Sequence, residues 1–269
     1  MNTQPGEMTF LQHLEALRWH IVRSVSAIIL VAIVAFLNKE FLFDEIILAP
    51  KNTNFLTYRI LCDLSKKYDL DMCFNTINFR IISTDLSGQF TMHVWVAFVA
   101  GFIIAFPYFI WEIWRFVKPA LNISEQKYSR GIVFAVSFLF LVGVLFGYYI
   151  IAPMSINFLG NYQVSSEVQN QITLDSYINT VTILSLSTGL VFELPMIVYF
   201  LSKLGIITPD FMRKYRKHAM VVNLIIAAFI TPSPDVTSMM LVAVPLFLLY
   251  EFSIYVSKFV IMRKKKEEI

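Results

Sequence analysis

One carboxylate, Glu193, interrupts the apolar run STGLVFELPMIVYF at residues 187–200. Facing hydrocarbon it would be costly, so it must meet a cavity or a partner helix, sit hydrogen-bonded inside a bundle, or carry a proton. Pro195, two residues on, removes a backbone hydrogen bond and is expected to bend the helix, and Gly189 lets a neighbour approach closely. Glu251 also stands in an apolar run, but nearer its end. Catalytic constellations are missing. No HExxH, GxSxG, phosphate-binding or dinucleotide-binding loop occurs, Tyr68–Asp69 lacks the partner motif of an intramembrane protease, and His13, His20, His93 and His218 have no ligand spacing. An enzyme, a metal centre and a cofactor are therefore not expected. Cys62 and Cys73 fall in one polar stretch with ten residues between them. In an oxidising compartment they could form a disulfide; otherwise they are two buried thiols.

The elements that must hold these groups are dictated by composition. Hydrophobic residues make up 57% of the 269-residue chain and charged residues 15%, too few charges to cover a soluble surface of that size. The 25 phenylalanines suit a lipid-facing surface. The net charge of +3, from 22 basic and 19 acidic residues, is too small for a nucleic-acid binder. This is the composition of an all-α polytopic membrane protein. A membrane helix needs about 20 apolar residues, and windows between charges give six spans, approximately 21–38, 88–114, 131–152, 176–202, 217–231 and 237–257. They leave an elaborated external loop at 39–87 and a cytoplasmic tail at 258–269, within a single integral domain over 1–269. The fourth span should bend at Pro195, and the last two should be short. No small-residue cleavage site follows the first apolar run, so it is expected to remain as a span.

Basic residues set the orientation. Arg18 and Arg23 precede the first span; Arg115, Lys118, Lys127 and Arg130 fill the 115–130 loop; Lys203, Arg213, Lys214, Arg216 and Lys217 fill the next; and the tail carries Lys258 and Arg263 to Lys266. The 153–175 and 231–237 loops have neither Lys nor Arg. Positive charge stays inside, which puts both termini in the cytoplasm.

Several motifs then line up in order: His13-Leu14-Glu15-Ala16-Leu17-Arg18; Pro107 with Trp111-Glu112-Ile113-Trp114-Arg115-Phe116; Lys118-Pro119-Ala120-Leu121 and Glu125; Gly189 with Phe192-Glu193-Leu194-Pro195; Gly205-Ile206 with Thr208-Pro209; Thr231-Pro232-Ser233-Pro234-Asp235; and Pro245 with Tyr250-Glu251. Together, over roughly residues 8–258, they resemble the TatC family, the signal-peptide receptor subunit of the twin-arginine translocase. The resemblance implies a bacterial inner-membrane protein that binds signal peptides bearing two adjacent arginines. It implies assembly with single-span TatA/TatB-type subunits, more than one copy of the chain in the complex, and export of folded cargo on the proton-motive force. By the family pattern Glu125 and Phe116 belong to the arginine-pair site, Glu193 and Pro195 to an intramembrane face engaging partner helices or the deeper signal peptide, and Pro50 and Asp235 to the external side.

Elementary chemistry supports those roles. An arginine pair stays charged, and its planar forks suit carboxylates; Glu15 and Glu125 would supply them, and Phe116 an aromatic face for stacking. The sequence also departs from the pattern. The family usually has Glu where Ala16 stands, so a second arginine ligand is Glu15, Glu112 or absent. His20 replaces a common basic residue, and Met239 an expected Gln. The competing reading is a proton-coupled solute transporter with Glu193 as proton carrier. Against it, no second deep acid, Lys or His offers a relay, and neither inverted repeats nor paired broken helices are detectable.

Overall fold

The computed structural model of the chain describes residues 10–68, 79–118, 129–165, 167, 170–231 and 236–267. The elements run α1 (Phe10–Leu37), a π-helical turn (Phe41–Ile47), a 3-10 turn (Ala49–Lys51), α2 (Leu56–Tyr68), β1 (Arg80–Ile82) and α3 (Gly88–Val117). Then come α4 (Ser129–Phe146), a second π-helical turn (Gly147–Ile151), α5 (Ala152–Asn161), β2 (Gln171–Thr173) and α6 (Leu174–Val191). The chain continues through α7 (Leu194–Lys203), α8 (Pro209–Lys214), α9 (Arg216–Ile230) and α10 (Val236–Glu267). Among the described residues five stretches are long and apolar enough to cross a bilayer: Leu14–Leu37, Gly88–Val117, Gly131–Asn161, Leu174–Lys203 and Met239–Arg263. The sixth apolar helix, α9, has only 15 residues and rises about 22 Å. The chain is an all-α polytopic membrane protein.

Contacts divide it into two units, residues 1–39 with 94–138 and residues 40–93 with 139–269. In the first unit, α1 is apolar nearly all round, and Leu30, Val34 and Leu37 stand exposed as a lipid-facing helix requires. It approaches α3 at Gly101, where an added Cβ would lie 2.8 Å from the Ala32 Cβ and 2.9 Å from its backbone. Small residues of this kind let membrane helices pack by van der Waals contact. Pro107 lies inside α3 without ending it.

The second unit has its core around Ile151, Ala152, Leu184, Ala227, Val242, Ala243 and Leu246, contributed by the junction of the second π-helical turn with α5, and by α6, α9 and α10. α7 packs on α10 through Val198 and Ile254, and the Ser202 hydroxyl donates to Ser257 at 2.7 Å. At the same end Arg216 pairs with Glu251 at 2.7 Å, and the Tyr250 hydroxyl donates to the Met212 carbonyl at 2.9 Å.

Three features differ from the sequence expectation. The last span is not short: α10 runs 32 residues, past Lys258. Its contacts with α7 continue to Ser257, and a basic residue beyond the hydrocarbon layer costs a helix nothing when its stem can reach water. The 39–87 region, expected as an elaborated loop, holds two helical turns, α2 and β1 among its described residues. Finally, β1 and β2 form a two-stranded parallel pair in the register Arg80↔Gln171 to Ile82↔Thr173, three residues being too few for an alternation pattern to reveal.

Candidate functional site

Unit one places Glu112 near the end of α3, with its side chain only 1% exposed. A carboxylate so buried must be paired and hydrogen-bonded to be tolerated, and Glu112 is. His20 Nδ1, from α1, is hydrogen-bonded to Oε2. Oε1 accepts from the Tyr108 hydroxyl at 3.0 Å and from Arg115 at 3.4 Å. Tyr108 and Arg115 lie four residues before and three after Glu112, the spacings that share a helix face. The Arg115 guanidinium also rests 4.8 Å from the centre of the Trp111 ring. Phe116 meets His20 edge to face, with ring centres 6.1 Å apart. Eleven residues along α3 from Gly101 and twelve back along α1 from Ala32, this cluster fastens the two antiparallel helices a second time. Glu15 sits five residues before His20 on α1 and is exposed.

The fourth span of unit two runs from Leu174 to Lys203 and is interrupted at one turn. α6 ends at Val191, Phe192 and Glu193 form a turn, and α7 starts at Leu194 with Pro195 in its first turn. The Glu193 N–H reaches back three residues to the Leu190 carbonyl at 3.2 Å. Pro195 has no N–H to offer Val191, so the ladder lapses there. The turn lies where α4 and α6 pass closely at two glycines. A Cβ on Gly189 would lie 2.6 Å from Val144, and one on Gly143 would lie 2.7 Å from Phe192. Glu193 itself is 9% exposed, and its Oε1 is buried without a hydrogen-bond partner among the described residues.

Pro50 is buried in the 3-10 turn. Three phenols clamp the backbone around it: Tyr148 donates to the Ile46 carbonyl at 2.7 Å, Tyr177 to Ile47 at 3.0 Å, and Tyr58 lies within reach of both the Pro50 carbonyl at 3.1 Å and the Pro153 carbonyl at 2.8 Å. Burial pushes the Tyr58 phenol above the ordinary tyrosine value, so it donates at every physiological pH.

The model of the Sec-independent protein translocase protein TatC matches residues 12–245. The chain belongs to the TatC family. TatC of Blattabacterium sp. subsp. Periplaneta americana is 42% identical over 267 residues, covering 98% of this chain and 100% of that one. TatC of Carboxydothermus hydrogenoformans is 34% identical and covers 94% of each chain. The fold agrees as well. A crystal structure of the twin-arginine translocase receptor TatC in the detergent DDM superposes with a TM-score of 0.71 at 30% identity, over 91% of this chain and 99% of that one. As a TatC-family member the chain is a multi-pass protein-transport component of a Tat complex and not an enzyme.

Of the residues that the TatC pattern pointed to, Glu112 and Phe116 come together around His20, with Glu15 exposed further along α1, while Glu193 and Pro195 form the break in the fourth span. Pro50 lies under the phenol clamp. Glu125, Asp235 and Cys73 fall outside the described residues, and Cys62 is disulfide-bonded. In the sequence His20 stands out only as a departure from the family pattern, and its pairing with Glu112 across 92 positions has no local signal. Tyr108 and Arg115 were findable, since they share the Glu112 face.

Proposed function

We infer that this chain is the core receptor subunit of a twin-arginine translocase in a bacterial inner membrane, with both termini in the cytoplasm. It binds the arginine pair of signal peptides at its cytoplasmic face and assembles, in more than one copy, with single-span TatA/TatB-type subunits to export folded proteins on the proton-motive force. One observation carries the receptor reading. An arginine pair needs free acceptors, and at this end of unit one Glu112 is engaged by its own His20, Tyr108 and Arg115 while Glu15 is exposed. Glu15 and Glu125 are then the acids that meet the arginines, Phe116 offers a ring face, and Glu112 serves the site by holding α1 against α3. Glu193 and Pro195 supply the intramembrane face for partner helices. Pro50 and Asp235 act on the external side, where Cys62 and Cys73 close a disulfide.

Binding of a fluorescent twin-arginine peptide to the full chain in nanodiscs tests the reading. A charge-assisted contact contributes about 1.5–3 kcal/mol, so Glu125→Lys should weaken binding about tenfold or more. Replacing both peptide arginines with lysine should weaken it too, because lysine lacks the bidentate fork. Unchanged affinity for Glu125→Lys would remove Glu125 from the site and favour solute transport through Glu193.

A further inference from the structure

α2 carries an apolar face that the protein leaves open. At 100° per residue, Leu56, Ile60, Leu64 and Tyr68 form one stripe, and all four are exposed. Tyr58 and Ser65, on another side of the helix, are buried. Lys67 falls within the stripe at its Leu56 edge, Asp63 borders that edge, Arg59 lies about 60° beyond it and Lys66 is on the far side, all four exposed.

The level of this helix follows from its contacts. The Thr57 hydroxyl donates to the Tyr149 carbonyl and Tyr58 to the Pro153 carbonyl, while the Phe55 ring stacks on Tyr149 at 5.6 Å. Tyr149 and Pro153 lie 18 and 22 residues along the candidate span that starts at Gly131. That is about 27–33 Å along a helix, where the roughly 30 Å hydrocarbon layer ends. Phe55, Tyr148 and Tyr149 cluster at this level, as aromatic side chains do at the edge of a bilayer. Thr57 lies on the same side of α2 as Ile60 and Leu64, so the stripe turns toward the outer wall of the span, where Tyr149 and Ile150 are each 37% exposed.

We propose that α2 is an interfacial helix: the Leu56–Ile60–Leu64–Tyr68 stripe beds into the boundary between headgroups and acyl chains, and Arg59 and Lys67 reach anionic headgroups, while Lys66 faces water. Lipid takes apolar area off one side of such a helix while basic stems carry their charges to the phosphates. The consequence reaches past α2. Tyr58 ties this helix to Pro50 and Pro153, so a lipid-anchored α2 holds the Pro50 turn at a fixed height on the membrane surface.

The test uses the full chain in phosphatidylcholine–phosphatidylglycerol vesicles. A nitroxide is attached through an encoded keto amino acid at position 56, 59, 60, 64 or 66, one at a time, leaving the cysteines intact. Power saturation should show the labels at 56, 60 and 64 several-fold more accessible to oxygen than to a water-soluble nickel chelate, and those at 59 and 66 the reverse. Equal nickel access at all five positions would overturn the proposal by placing the stripe in water. Low access to both reagents at 60 and 64 would overturn it by showing a protein, such as a second copy, on the stripe. Vesicles of phosphatidylcholine alone should shift the labels toward the aqueous phase; no shift would overturn the headgroup half of the proposal.

Discussion

Glu112 and Glu193 are both buried carboxylates on apolar helices, and the chain treats them in opposite ways. Glu112 has a hydrogen-bond partner on each oxygen, drawn from its own helix and from α1. Glu193 sits at a helix break with Oε1 buried and unpartnered among the described residues. Burying an acceptor without a partner costs free energy that a satisfied one does not. The difference separates two uses of one residue type. A satisfied carboxylate joins two helices of the same chain, whereas the one with an open oxygen is, on the function proposed above, the one that meets a partner helix.

That contrast can be broken by substitution. The largest effect on stability is expected for Glu112→Ala. It strands half-buried His20 and leaves Tyr108 without its acceptor, and removing one member of a buried pair costs about 3 kcal/mol or more. Arg115 is nearly half exposed and re-solvates, which holds the loss near that lower bound. Melting of the detergent-solubilised chain should show it as a clear drop, and a melting temperature equal to wild type would mean that the cluster does not fasten α1 to α3. A smaller step is Tyr108→Phe, which deletes one hydroxyl hydrogen bond and should cost about 1 kcal/mol, with arginine-pair binding close to wild type. The smallest change in stability belongs to Glu193→Gln and Glu193→Ala. Neither breaks a charged pair, and at most the hydrogen bond with the Phe140 backbone is lost, so melting should change little, while co-purification of single-span partners falls, more for Ala than for Gln. Should Glu193→Ala destabilise the chain as much as Glu112→Ala does, the two carboxylates are alike and the distinction fails.

Legibility followed the range of the interaction that decides each feature. The helices were readable because lipid enforces its rule residue by residue: every backbone polar group must be satisfied within the span, so uninterrupted apolar windows mark the elements with no knowledge of neighbours. The lapse at Glu193–Pro195 was readable for the same reason, since a missing N–H is a property of proline itself. The resemblance through Glu15, Phe116, Glu193 and the Thr231–Asp235 turn rests likewise on short motifs.

What the sequence could not reveal depends on residues far apart along the chain. Whether Glu112 was a free ligand or an engaged one turned on His20, 92 positions away. The phenol clamp over residues 46–50 draws Tyr148 and Tyr177 from helices more than 100 positions on. α10 outruns the expected 237–257 span because Lys258 reads as a stop in one dimension, whereas a basic side chain whose stem reaches water lets the helix run on to Glu267. Apolar patterning and proline chemistry are local and therefore written in the sequence. The pairing state of a buried charge is set by whichever distant side chain the fold brings within about 3 Å, and only the tertiary structure decides that.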